Sequence, residues 1–189
     1  QKTAYESRRR DGSSDVCASD LRFDGPLTLK RLEQIFQDCV DFTKRPVSLG
    51  EGGACTLTLC YLSGMVKMER VSDYVLRPLA QDEALARCGT PRQAMEEMMG
   101  GALYNLSAAE RTTLDEAAFD LVAGWCLLFF PGESAVLSLF VGTEEKRSIS
   151  SPSNETVLKG SRDAFVESLR TNTSIVRRHL KTPELRIRE

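Results

Sequence analysis

The sequence predicts a mixed α/β domain with a central mixed sheet that includes one β-hairpin and has helices packed on its faces. Residues 125–130 and 135–141 are apolar runs separated by Pro131 and Gly132, a pattern typical of a β-hairpin. Residues 54–62 alternate apolar and polar side chains, which indicates a further strand. Helical periodicity on both sides of these strands completes the prediction, although the order of the strands in the sheet is not readable.

Apolar residues recur at intervals of three or four in several segments, and each such segment predicts a helix. In the first helix, at residues 27–41, Thr28 is the expected N-cap. The other helices are expected at residues 65–79, 91–101 and 114–123. Met68, Met95, Met98 and Met99 are interpreted as residues that pack inward in these helices.

The segments between these elements are predicted to be loops or short strands. Residues 46–53 contain three glycines and one proline and are expected to form a loop. Residues 41–45 are interpreted as a solvated exit from the first helix. Residues 81–90 are expected to be irregular, and residues 103–106 to form a short strand.

The C-terminal helix is predicted at residues 162–180, after a turn at Gly160 and the N-cap Ser161, and Pro183 prevents its continuation. Cations are favoured in a last helical turn, so the run 177–181 is interpreted as a helix end in water. An apolar stripe is expected to pack on the sheet, and it comprises Phe165, Leu169, Val176 and Leu180.

The composition argues against several classes of protein. The formal net charge of the 189 residues is -2, which does not favour nucleic-acid binding. No apolar run approaches the ~18–20 residues that span a bilayer, and no secretory signal is apparent. The six cysteines include no Cys-x-x-Cys pair, which favours a reducing compartment without disulfides.

No residue pattern indicates catalysis, a metal or a cofactor. The one histidine, His179, lies in a basic helix end, so neither a histidine-assisted nucleophile nor a zinc site is expected. The glycines at 50–53 precede a strand, whereas a phosphate-binding loop follows one. Local ion pairs explain Glu155, Asp163 and Glu167 better than acid–base chemistry does. We therefore expect no enzyme activity and no cofactor.

The stretch from residue 152 to 178 carries a long motif. It resembles the end of the first N-terminal subdomain of GerA-type spore germinant receptor A subunits. Ser151, Lys159, Ser161, Asp163 and His179 depart mildly from the family pattern. The matching residues, with a structural or interaction role expected, are Pro152, Glu155, Gly160, Arg162, Phe165, Glu167, Ser168, Asn172, Arg177 and Arg178.

The resemblance implies a non-catalytic receptor module that acts in assembly and in transmission of the nutrient signal. The partners it implies are other A subunits in a homo-oligomer, a transporter-like B subunit and a lipoprotein C subunit. The full-length protein would be embedded in the spore inner membrane, with this soluble domain on the cytoplasmic side, facing the spore core. The alternative is a nutrient-binding module that is similar to a lobe of a substrate-binding protein.

The domain organisation follows from the same resemblance and from the composition. Residues 1–26 are polar and are expected to be a disordered or non-native tail. Residues 27–183 are expected to form a single α/β subdomain. Residues 184–189 are expected to begin a linker to a second subdomain that this chain does not contain.

Overall fold

The computed structural model describes residues 23–49, 55–103, 107–142 and 167–188. Within these ranges no helix combines the length and the apolar character that crossing a membrane requires. In chain order the helices and strands are α1 (Leu29–Ile35), β1 (Phe42–Leu49), β2 (Cys55–Leu62), α2 (Met68–Val71), α3 (Arg77–Gln81), α4 (Glu83–Ala86), α5 (Pro91–Glu97), β3 (Ala108–Arg111), α6 (Leu114–Val122), β4 (Trp125–Phe129), β5 (Val136–Phe140) and α7 (Leu169–His179).

The strands form a five-stranded sheet in the order β1-β2-β4-β5-β3. The predicted mixed α/β class is confirmed. Every strand pair in the described chain is antiparallel, however, so the expectation of a mixed sheet is corrected. The connections from β1 to β2 and from β4 to β5 are short. In each pair the second strand therefore returns beside the first and runs antiparallel to it.

The two faces of the sheet are covered by different helices. Alternation along β2 places Leu57 and Leu59 in a core shared with α2 to α5. Cys60 and Leu62 point to the opposite face and join a second core with α1 and α6. The prediction of helices on the faces of the sheet therefore holds.

The first helix is shorter than the sequence predicts. Thr28 caps α1, and its hydroxyl accepts a hydrogen bond from the Arg31 amide at 3.3 Å. The helix ends at Ile35 instead of at residue 41, and Asp38 adopts a left-handed conformation with φ of 62°. The chain therefore turns early and enters β1 at Phe42.

Strand β1 contradicts the prediction of a loop at residues 46–53 as far as Leu49, and residues 50–54 lie outside the described chain. It pairs with β2 from Phe42 opposite Leu62 to Leu49 opposite Cys55. Pro46 lacks an amide donor, and β1 tolerates this because, among the described strands, one side of its backbone has no partner.

The helical region between β2 and β3 is only partly as predicted. The helix expected at residues 65–79 begins at Met68 and passes through a π-helical turn, Ser72–Leu76, just before Pro78. Met95 and Met98 are buried as expected, but Met68 and Met99 are 42% and 46% exposed. A second π-helical turn, Met98–Ala102, follows α5.

The connections on either side of this region also differ. Residues 81–90 are not wholly irregular, because Asp82 caps α4 by accepting from the amide of Ala84 at 2.8 Å. The short strand expected at 103–106 remains a prediction, because residues 104–106 lie outside the described chain, and strand β3 follows at Ala108–Arg111.

The predicted hairpin is confirmed. Strands β4 and β5 pair antiparallel, with Trp125 opposite Phe140 and Phe129 opposite Val136. Helix α6, capped by Thr113, leads into β4 through Gly124, whose φ of 90° suits glycine. An alanine Cβ at that glycine would lie 3.0 Å from the Met65 carbonyl oxygen, so two turns meet closely here.

Candidate functional site

Residues 167–178, most of which belong to helix α7, are the part of the family-like motif that the structure describes. The helix begins at Leu169 rather than at residue 162, because Ser168 is extended and caps it by accepting from the Thr171 amide at 3.4 Å. It ends at His179. The predicted site residues that lie outside the described chain are Pro152, Glu155, Gly160, Arg162 and Phe165.

The face of α7 that packs on the domain is not the predicted apolar stripe. Leu169 and Leu180 are 61% and 53% exposed, whereas Ser174 and Arg177 are buried. The stripe prediction is therefore wrong for these leucines. Phe165 lies outside the described chain, so its expected packing remains a prediction.

A close backbone contact explains why α7 buries a small residue. A methyl group added at Gly64, in the turn after β2, would come within 3.1 Å of the Ser174 Cβ. The Ser174 hydroxyl donates a hydrogen bond to the Thr171 carbonyl at 2.8 Å, so this buried group has a partner within its own helix. Gly64 and Ser174 together let the helix lie directly on this turn.

A buried ion pair anchors the same helix face three residues further on. Arg177 donates from Nε to Asp41 Oδ2, and from Nη2 to Asp41 Oδ1 at 2.8 Å. The two residues are 1% and 7% exposed, so Arg177 is not a solvated helix end and Asp41 is not a solvated helix exit. Both predictions are wrong, because each charge has its partner in the other segment.

The surroundings of Arg177 are apolar on one side. Its guanidinium carbon lies 6.0 Å from the ring centroid of Phe36, which stacks on Phe42. Burial alone would lower the pKa of Arg177, but hydrogen bonding and the charge of Asp41, with a smaller contribution from Cys39, raise it. The guanidinium therefore stays charged, and its Nη1 has no hydrogen-bond partner among the described residues.

The residues after α7 are fastened to the same corner of the fold. The Val40 amide donates to the Ile187 carbonyl at 2.9 Å, and the Cys39 thiol donates to the Leu185 carbonyl at 3.5 Å. Arg188 pairs with Asp38 at 2.9 Å. We call residues 185–188 the exit strap and residues 38–41 the anchor corner. The strap and α7 thus hold the anchor corner from two directions.

Two cavities border this region. One of about 520 Å³ is open to solvent and is lined by Asp38, Cys39, Val40 and Arg188. The other, of about 190 Å³, lies between α7 and the turns that precede and follow the central strands. Its lining residues are Gly64, Met65, Ala123, Gly142, Arg178 and Lys181.

The predicted motif residues on α7 are not gathered around one point. Arg178 lies on another side of the helix from Arg177 and donates to the Ser174 hydroxyl at 3.0 Å. Asn172 is half-buried, and its backbone amide donates to the Ser168 carbonyl. Glu167 is exposed and precedes the helix. Only Arg177 of these residues enters the core.

Sequence reasoning missed Asp41, Gly64 and Ser174 as members of this site. An acid after a helix and an arginine in a helix end are both usually exposed, so no local signal in the sequence indicates that Asp41 and Arg177 are buried together. Among the described residues there is no group of three or more His, Cys, Asp or Glu that could hold a metal ion.

Comparison with known proteins gives a consistent set of similarities. The family model described as Bacillus/Clostridium GerA spore germination protein matches residues 30–189. Two relatives are from Bacillus subtilis strain 168. The membrane protein YfkQ, named as uncharacterized, is 33% identical over 159 residues, and spore germination protein KA is 32% identical over 147 residues.

These matches cover 84% and 77% of this chain but only 30% and 26% of those two relatives. Among solved structures, the N-terminal domain of the A subunit of the Bacillus megaterium germinant receptor GerK3 is similar, with a TM-score of 0.64 and 22% identity. That match covers 82% of this chain and 54% of the solved chain. The similarity in structure shows that the two share a fold.

Proposed function

Because this chain belongs to the GerA family of spore germination proteins, we propose that it serves receptor assembly and signal coupling in a germinant receptor A subunit. The observation that carries the proposal is the double fastening of the anchor corner, by the buried pair of Arg177 with Asp41 and by the exit strap. This arrangement joins the end of the described chain to the beginning of the sheet.

The coupling follows from the connectivity of the anchor corner. The Asp41 carboxylate is bound by Arg177 of α7, and the backbone carbonyl of Asp41 accepts a hydrogen bond from the Ser63 amide at 2.8 Å. A displacement of the exit strap or of α7 would therefore move β1 and the turn after β2 together. Packed interfaces of this kind have discrete arrangements, and small shifts at them bias a two-state assembly.

The proposal extends to partners and location. The module would contact other A subunits in a homo-oligomer and would work with transporter-like B and lipoprotein C subunits. The complete protein would lie in the spore inner membrane, with this domain on the cytoplasmic side. The names of the relatives, which are germination and membrane proteins, support this assignment. We propose a non-catalytic role.

The test is germination of spores that carry Asp41→Leu together with Arg177→Met in the natural full-length protein, because the double substitution leaves no buried charge without its partner. We expect a slowed or absent response to nutrients, with the protein still present in the spore membrane. The matched control is Glu83→Gln, which removes an exposed ion pair with Arg87 away from the anchor corner. A normal response from the double variant would refute the coupling role.

One observation favours nutrient binding as a second candidate function. Arg178 and Lys181 line the cavity of about 190 Å³, and no carboxylate is among its described lining residues, which suits a small anionic solute. A thermal-shift screen with amino acids, sugars, nucleosides and simple ions tests it, because a ligand at 100 Kd adds ~2.7 kcal/mol. A dose-dependent shift that Lys181→Gln abolishes would support binding, and no shift with any compound would exclude it.

A further inference from the structure

Helix α7 turns a polar side toward the domain and leucines toward solvent. Its buried residues are Ser174 and Arg177, and among the described residues neither apolar core beside the sheet includes a member of α7. Leu169 and Leu180, at the two ends of the helix, are instead 61% and 53% exposed. An amphipathic helix normally buries its apolar side, so this inverted arrangement indicates an interaction surface.

The two leucines lie on the same side of the helix. They are eleven residues apart, which is close to three full turns, so about 16 Å separates them along the helix axis. Each is followed directly by an exposed cation, Arg170 after Leu169 and Lys181 after Leu180. A leucine beside a long cation suits a lipid surface, where the leucine enters the boundary of the acyl chains and the cation reaches the phosphates.

The charge of the chain is distributed unevenly, with an excess of cations around α7. Residues 167–188 contain six lysines and arginines and two glutamates, a formal charge of +4, whereas the whole chain has a formal charge of -2. The charge of this region stays positive when Asp38 and Asp41, the partners of Arg188 and Arg177, are included. A domain with this asymmetry is oriented with its α7 side toward a negatively charged surface.

The size of this face favours a lipid surface over a protein partner. Helix α7 has eleven residues and is therefore about 16 Å long. Each partner in a stable protein interface buries ~800 Å², which is far more than one side of so short a helix offers. A bilayer requires no complementary shape, because individual leucines and cations each add to the binding.

From these observations we propose that the outer side of α7 binds the surface of a bilayer that contains anionic phospholipids. The helix lies along the surface, with Leu169 and Leu180 between the headgroups and with Arg170 and Lys181 on the phosphates. Because α7 also carries Arg177, the bound helix holds the anchor corner at a fixed distance from the bilayer. The inference rests on the proposed membrane location and adds which side of the domain faces the membrane.

The experiment measures co-sedimentation of the purified 189-residue chain with sucrose-loaded vesicles. One set of vesicles contains phosphatidylcholine mixed with phosphatidylglycerol, and the other contains phosphatidylcholine alone. We expect binding to the anionic vesicles that weakens as salt is raised, and little binding to the neutral ones. Amide exchange in α7 should slow on binding. No binding to the anionic vesicles, or equal binding to both sets, would overturn the proposal.

Two double variants separate the contribution of charge from that of the leucines. Arg170→Gln with Lys181→Gln should lower the partition coefficient roughly 25-fold, because each cation near an anionic surface contributes about fivefold. Leu169→Ser with Leu180→Ser should lower it by about tenfold, because two apolar side chains no longer leave water. All four side chains are exposed, so both variants should fold, and circular dichroism verifies this.

The control is Arg77→Gln with Arg87→Gln, which removes the same charge from exposed positions on α3 and α4 and should leave binding nearly unchanged. A loss as large as in the α7 variants would show that net charge alone drives binding, and it would overturn the assignment to α7. A dimer of the parent chain that Leu169→Ser with Leu180→Ser dissociates in sedimentation velocity would show that a second copy covers this face instead. Neither measurement involves the response to nutrients, so this proposal and the coupling role can fail independently.

Discussion

Ser174 of α7 rests on Gly64 so closely that a Cβ at Gly64 would lie 3.1 Å from the Ser174 Cβ and 3.4 Å from its Cα. This contact is tighter than ordinary van der Waals packing, and the Cα belongs to a helix backbone that cannot rotate away. The absence of a side chain at Gly64 therefore sets the distance between α7 and the turn after β2.

The first prediction follows from this contact. Gly64→Ala should lower the free energy of unfolding by ~1–3 kcal/mol, because the added methyl group forces α7 outward. Urea denaturation of the purified protein measures this. The control is Gly100→Ala, since a Cβ there would meet nothing within 4 Å. A loss at Gly64 no larger than the change at Gly100 would mean that α7 is not held at this distance.

The second prediction concerns the buried pair. Arg177→Met alone should destabilise the fold by ~3–5 kcal/mol, because it leaves the Asp41 carboxylate buried without its cation. Combining it with Asp41→Leu should recover much of that loss, and a double-mutant cycle of unfolding free energies measures the recovery. The exposed pair of Asp38 with Arg188 is the comparison, and its removal should change stability by only ~0–1 kcal/mol. Additive effects of the two substitutions in the buried pair would argue against direct coupling.

A third prediction arises from Ser138 in the middle of β5. Its side chain is fully buried, opposite Leu127 on one side and Ala109 on the other, and its hydroxyl has no hydrogen-bond partner in the part of the chain that the structure describes. Ser138→Ala should therefore stabilise the protein by ~1 kcal/mol, which thermal and urea unfolding would detect. Ser48→Ala, on the exposed edge strand, should have little effect. A destabilised Ser138→Ala protein would show that the hydroxyl has a partner in solution.

The fourth prediction is a loss of stability at alkaline pH. Burial raises the pKa of Cys60 and of Cys126 to about 12, so both thiols stay neutral in the folded protein where an unfolded thiol ionises. Their contribution is complete below the unfolded pKa and is lost as pH rises from there toward 12. Each thiol should lower the free energy of unfolding by ~1.4 kcal/mol per pH unit in this window.

Unfolding by urea between pH 8 and 11 measures this slope. The double variant Cys60→Ala and Cys126→Ala should flatten it, and the half-exposed Cys88 provides a comparison, since Cys88→Ala should flatten it less. An unchanged slope in the double variant would contradict the assignment of these thiols.

The elements that could be predicted from the sequence are those in which local pattern and tertiary role agree. Strands β4 and β5 are apolar except for Ser138, because helices cover both faces, and Gly132 in the turn between them adopts a φ of 80°. Thr28 and Thr113 cap helices in the manner their side chains favour. In each case the residues that are near in sequence are sufficient to predict the local structure.

Strand β1 shows why the remainder could not be read locally. Lys44, Arg45 and Pro46 are exposed at the edge of the sheet, so this strand lacks the apolar alternation that identifies a strand. Its pairing with β2, rather than a pattern in its own sequence, makes this segment a strand.

The candidate site was hidden for a related reason. Arg177 and Asp41 each look like solvated charges at a helix end, and only their approach in the fold explains their burial. The leucines of α7 mislead in the opposite sense, because Leu169 and Leu180 fit an apolar periodicity and yet are largely exposed. The partner of a charged residue depends on the tertiary structure, which the periodicity of the sequence does not reveal.

Asp41 and Arg177 are 136 positions apart along the chain. This separation determines when during translation the two side chains can pair. Asp41 leaves the ribosome before any strand of the sheet, and Arg177 leaves it after all five described strands. Until then the carboxylate has no cation to accompany it into the interior, so a partial product keeps that corner hydrated and open. The last helix therefore acts as a closing step, and only a polypeptide translated through α7 can reach the finished form.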